Sequence, residues 1–211
     1  MWDLVTQPLL SSLILGFFLG CIHAFDIDHI VAVSVMSSGE KNWQRCMGYS
    51  SRWALGHGIV LLSLGILAYT MGISLPTSVS LAAEKLIGLL LIVFGGVLIY
   101  QIVQHHGIQN LIRLRKRRQG TPFAVGIIHG MAGNAPVLAM LPALSQPSLL
   151  SAVSYMFFFS IGLLTSMVLF GLCLGKIQLW FGKKHEYYLN LSASVVGLSS
   201  LTVGIVWLSP Y

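Results

Sequence analysis

Apolar residues fill this chain in six long runs, separated by short polar stretches. A helix that crosses the hydrocarbon core needs about 20 mostly apolar residues, and every run reaches that length. They extend from about Leu9 to Val35, Tyr49 to Met71, Ala82 to Val103, Phe123 to Leu144, Leu149 to Leu174 and Tyr188 to Leu208. The pattern predicts an all-α polytopic membrane protein of about six transmembrane helices.

The basic residues give this an orientation. Lys41, Arg45 and Arg52 fall between runs one and two; Arg113, Arg115, Lys116, Arg117 and Arg118 between three and four; Lys176, Lys183 and Lys184 between five and six. Lys85 is the sole exception, so eleven of the twelve basic residues lie on one side. Cytoplasmic loops carry the Lys/Arg excess, which predicts a multi-pass plasma (inner) membrane protein with both termini outside. The N-terminus has Asp3 and no Lys or Arg before Gln7, so the first run is expected as a retained helix and not a cleaved signal.

Composition narrows the class. The chain is 55% hydrophobic and 9% charged over 211 residues. In soluble domains roughly a quarter of the residues are charged. One transmembrane domain over residues 1–211 is expected: a half at about 1–104, a basic cytoplasmic loop at about 105–122, and a half at about 123–211. The net charge of +6 follows from the cytoplasmic loops and does not call for nucleic acid; membrane lipid is the expected surroundings. Cys21, Cys46 and Cys173 form no CxxC pair, so no disulfide framework is implied.

The halves echo each other. Gly20-Cys21-Ile22-His23-Ala24 is similar to Gly126-Ile127-Ile128-His129-Gly130, and Gly56 and Gly65 match Gly162 and Gly171 by spacing. With three helices per half, the halves enter the membrane from opposite faces. A 3+3 inverted repeat of this kind places substrate sites near the midplane, often on interrupted helices.

Polar chemistry concentrates in His23-Ala24-Phe25-Asp26-Ile27-Asp28-His29. Ionisable side chains at membrane depth are functional suspects by default, and imidazole with carboxylate is a ligand set for first-row transition metals. On a straight helix, His23, Asp26 and His29 share a face within about 120°, while Asp28 points away; a broken helix lets Asp28 join. His57, between Gly56 and Gly58, is a further ligand or pathway candidate. His129 and Asn134 lie in a Gly- and Pro-containing stretch of the fourth run and are pathway candidates. His105, His106 and His185 are expected at solvated helix ends.

The chain lacks GxxxxGK[ST], HExxH and GxSxG motifs, which argues against a phosphate-loop ATPase, a zinc protease and a serine hydrolase. A thiol reductase is disfavoured, because Cys21 has Ile127 at the matching position of the second half.

His23-x4-Asp28-His29 within HAFDIDHIVAV resembles the signature of the nickel/cobalt transporter family, and Leu55-Gly56-His57-Gly58 resembles its second-helix motif. The compact form and His129-Gly130-Met131-Ala132-Gly133 are similar to its shorter, urease-associated branch. The better-known members have eight helices and further motifs that this chain lacks. The resemblance implies a non-enzymatic permease for Ni²⁺ or Co²⁺, with His23, Asp28, His29 and His57 as metal positions; Asp26 is added from geometry. No cofactor is expected, the ion being substrate, and an intracellular metal acceptor is an expected partner. The rival readings are an exporter of metal or small anions on the same plan, and a membrane metal-binding accessory protein that transports nothing.

Overall fold

The computed structural model describes residues 3–40, 42–72, 76–104, 121–132, 141–184 and 186–209. Among them there are helices, turns and no strands. The helices are α1 (Asp3–His23), α2 (Ile27–Ser37), α3 (Trp43–Met71), α4 (Thr77–Val103), α5 (Thr121–Met131), α6 (Leu149–Lys184) and α7 (Glu186–Leu208). Four of these, α3, α4, α6 and α7, are long and apolar enough to cross a membrane. A bent pair, α1 and α2, makes five when counted as one span. This is a multi-pass membrane protein.

The first apolar run departs from expectation. It is two helices that meet at 60°, joined by a turn in which the Asp26 N–H donates to the His23 carbonyl at 3.2 Å. No glycine or proline marks the turn. The fourth run is described only as α5 and a helical turn at 141–144, and the basic stretch Arg113–Arg118 also lies outside the described residues. α2 has 11 residues, about 16 Å of helix, roughly half a hydrocarbon core. Every residue from 31 to 40 is buried, so α2 is a half-length helix enclosed by its neighbours.

Glycines set the close crossings. A Cβ on Gly20 would strike the Phe159 carbonyl, and one on Gly162 the Phe17 carbonyl, where α1 meets α6. A Cβ on Gly126 would strike the Trp53 carbonyl, and one on Gly56 the Phe123 carbonyl, where α3 meets α5. The two crossings are the same set of contacts at one constant offset along the chain (20 to 126, 53 to 159, 17 to 123, 56 to 162). Small residues of this kind let helix backbones approach in a membrane.

The pairings also give direction. Gly16 meets Tyr155 and Gly20 meets Phe159, so α1 and α6 run parallel. Gly126 meets Trp53 and Gly130 meets Val60, so α3 and α5 run parallel. Gly65 meets Met156 and Gly171 meets Ser50, so α3 and α6 are antiparallel. α1 and α5 therefore point in opposite directions. α4 crosses α7 antiparallel, Gly88 against Gly204 and Gly95 against Gly197.

The outer faces carry exposed Phe18, Ile59, Leu86, Val93, Phe157 and Val195, as lipid-facing positions require. His23, Asp28, His29, His57 and His129 are buried.

Candidate metal centre

The turn after α1 decides the site. It leaves His23 as the last residue of α1, places Asp26 between the helices, and starts α2 with Asp28 and His29 in its first turn. His57 is the middle residue of the 29-residue α3, and His129 lies in the last turn of α5. The four imidazoles converge. Ring centres are 4.8 Å apart for His23 and His29, 5.3 Å for His23 and His57, 4.9 Å for His29 and His57, and 5.7 Å for His29 and His129.

Their hydrogen bonds select the tautomers. His29 Nδ1 lies 3.1 Å from the His23 carbonyl oxygen, and His129 Nδ1 lies 3.2 Å from that of Val125. A carbonyl only accepts, so each Nδ1 carries the proton and each Nε2 keeps its lone pair. His23 Nδ1 lies 2.8 Å from Asp26 Oδ2, which directs the same tautomer. A metal-binding histidine typically donates its other ring N–H to a carbonyl or carboxylate, which fixes the ring and raises its basicity.

His23 Nε2 and His57 Nε2 stand 3.2 Å apart. Two nitrogens bound to one ion at about 2.0–2.1 Å in tetrahedral geometry are about 3.3 Å apart. His23, His29 and His57 can each offer an atom within 4.8 Å of the others. His129 Nε2 is buried with no hydrogen-bond partner, as is His57 Nδ1, across the ring from the Nε2 that faces His23. An unpaired buried nitrogen costs about 1–3 kcal/mol, a cost that a bound ion removes at His129 Nε2.

The carboxylates divide between two roles. Asp26 holds His23 in place, and its side chain is 45% exposed against 9% for His23. Asp28 is buried, with Oδ2 at 3.9 Å from His29 Nε2 and 3.8 Å from His129 Nε2. Asp26, Asp28 and His29 form a second group of atoms within 4.8 Å of one another. Of the two alternatives the sequence leaves open, the helix is the broken one, and the bend between α1 and α2 puts buried Asp28 beside His29. The structure brings together His23, Asp26, Asp28, His29, His57 and His129, six of the seven residues singled out from the sequence. Asn134 lies outside the described residues, as do His105, His106 and His185.

One participant was not anticipated. The buried Trp53 ring stacks on His57 at 5.0 Å and packs on His29 at 4.8 Å and His129 at 5.4 Å. It walls the site against water. Its position four residues before His57, on the same helix face, was the available signal.

α1 and α5 both end at the site and bring partial negative charge, while the N-terminus of α2 brings partial positive charge; Asp26 and Asp28 supply the negative charge that suits a cation. Discontinuous helices in transporters present such C-terminal ends to bound cations.

Residues 12–199 match the family model described as the cytochrome c biogenesis protein transmembrane region. Urease accessory protein UreH of Bacillus sp. (strain TB-90) is 28% identical over 208 residues, covering 93% of this chain and 90% of the relative. Chloroplast proteins FOR GROWTH AND FERTILITY 2 and 1 of Arabidopsis thaliana are 28% and 24% identical over 176 residues each. Those alignments take in 78% and 75% of this chain and 47% and 48% of the plant proteins. No solved structure matches the chain significantly.

Proposed function

As the chain belongs to the cytochrome c biogenesis protein transmembrane region family, we propose that it is a member in which thiol chemistry has no part and a divalent transition-metal ion, Ni²⁺ or Co²⁺, is carried across the membrane. None of its three cysteines is in a disulfide, and at the core of the bundle stand histidines. The observation that carries this reading is the triad His23, His29 and His57, with Nε2 atoms turned inward at a buried crossing of α1, α2 and α3. The HAFDIDH signature and the urease accessory relative point to the nickel/cobalt group and its shorter branch.

The ion enters from outside and loses its water shell to the three imidazoles. Asp26 orients His23, and Asp28 offsets the ion's charge. The crossings repeated at a constant offset, with α1 and α5 opposed in direction, support a 3+3 inverted repeat with the site between the halves. Inward movement of a divalent cation gains about 4.6 kcal/mol per 100 mV of inside-negative potential, at about 2.3 per unit charge, which drives accumulation without ATP. Affinity order alone favours copper, so geometry must select.

The test is Ni²⁺ and Co²⁺ flux into proteoliposomes. His23→Gln, His29→Gln and His57→Gln should each lower metal affinity by more than the roughly 10- to 100-fold that loss of a ligand's hydrogen-bond partner costs, with a matching fall in uptake at low metal. Unchanged flux in all three would end the proposal. Reversing the gradient reports whether the protein also exports.

A further inference from the structure

The triad accounts for three of the four buried histidines. His129 is 2% exposed, comes from the second half of the chain, and ends in an unpartnered Nε2. That nitrogen faces Asp28 Oδ2 at 3.8 Å, and the same oxygen lies 3.9 Å from His29 Nε2. A hydrogen bond between such groups would close to about 2.7–3.2 Å. Two donors of one ion at about 2.0–2.2 Å each stand roughly 3–4 Å apart. The spacing is therefore that of two donors with room for an ion between them, with a lone pair on the His129 side because Nδ1 is committed to the Val125 carbonyl.

We infer that Asp28 and His129 form a second station on the ion's path, distinct from the His23/His29/His57 triad and linked to it through His29. This deepens the proposed function and rests on it. Three features converge. His29 is common to both groups: its ring meets His23 and His57 of the triad and also His129. Trp53 packs on His29, His57 and His129 alike, so both stations share one apolar wall and no bulk water need enter between them. The last turn of α5 brings its negative helix end to the second station, as the end of α1 does at the first. Hand-over at His29 exchanges ligands pairwise: the ion releases His23 and His57 as it takes Asp28 and His129. It is never without donors, which lowers the barrier that full dehydration in a dry site would impose.

The experiment separates binding from passage. The full chain in nanodiscs is titrated with Co²⁺, read by the ligand-field absorption of the bound ion, and the same variants are assayed for Co²⁺ flux in liposomes. His129→Gln should leave the first-station spectrum and affinity within about twofold while flux falls roughly 10- to 100-fold. Asp28→Asn should lose flux to the same extent and also weaken, without abolishing, binding at the triad, since its charge offsets the ion there; in flux the double variant should be no worse than either alone, as partners in one site are non-additive. Retained binding also shows that each variant is folded. Wild-type flux in His129→Gln overturns the second station. So does loss of binding equal to that of His57→Gln, which would make His129 a ligand of the same site. If His57→Gln itself leaves binding and flux intact, the triad fails, a separate outcome that concerns the proposed function and not the hand-over.

Discussion

Two neighbours constrain His23 from opposite ends of its ring. Asp26 holds Nδ1 at 2.8 Å and His57 stands 3.2 Å from Nε2. Asp26→Asn should keep the bond but make the ring less basic. Co²⁺ affinity in nanodiscs should fall by roughly 10- to 100-fold and less than in His23→Gln, and an effect equal to the histidine variant would make Asp26 a ligand. All the donors bind as deprotonated species, so metal and proton compete. Acidification should weaken Co²⁺ binding, read by the absorption of the bound ion as the pH is lowered; binding that strengthens in acid would count against imidazole ligands. Trp53 is the packing counterpart of these polar residues. Trp53→Ala removes a fully buried ring, and such truncations cost about 3–5 kcal/mol, so the melting temperature in detergent should drop markedly. These residue types were legible from the chain, as imidazoles and carboxylates inside apolar runs. Trp53 was not, because an aromatic residue in a membrane helix is ordinary until its neighbours are known.

Helices hold these residues in place through their crossings. Gly20 and Gly126 each lie against a carbonyl of the facing helix, where a Cβ has no room. Gly126→Leu should force α5 off α3 and displace His129, seen as lowered melting temperature and lost flux. Gly48→Ala and Gly96→Ala, whose Cβ atoms would meet nothing within 4 Å, should be tolerated in both assays. An unaffected Gly126→Leu protein would mean that the crossing is not as close as described. The positions of four apolar runs, the second, third, fifth and sixth, agree with membrane-length helices, because the length of an apolar stretch is what bilayer thickness demands. The bend between α1 and α2 escaped that logic. Helix interruptions are normally sought at Gly or Pro, and His23 to Ile27 contain neither. What stabilises the bend is Asp26 bonding the His23 ring, and the His23 carbonyl, freed at the end of α1, accepting from His29. The interruption and the site are one set of bonds.

Across the whole protein, the functional proposal is electrogenic. In liposomes with a potassium diffusion potential, an inside-negative voltage should speed Ni²⁺ uptake and an inside-positive one slow it; equal rates would mean compensating charge movement. A phosphatase fused to the C-terminus should be active outside the cell if six helices alternate as the basic residues require. The chain alone established membrane character, the buried location of ionisable groups and the chemical class of ligand they form, since all three follow from local composition against the cost of taking charge into lipid. The shared centre came only with the packed helices. His23 and His57 lie on different helices, His29 and His129 in different halves of the chain, and no local pattern specifies which faces meet. That is set by the glycine crossings, which fix how closely and in which direction the helices pass, and so by van der Waals fit between segments distant in sequence.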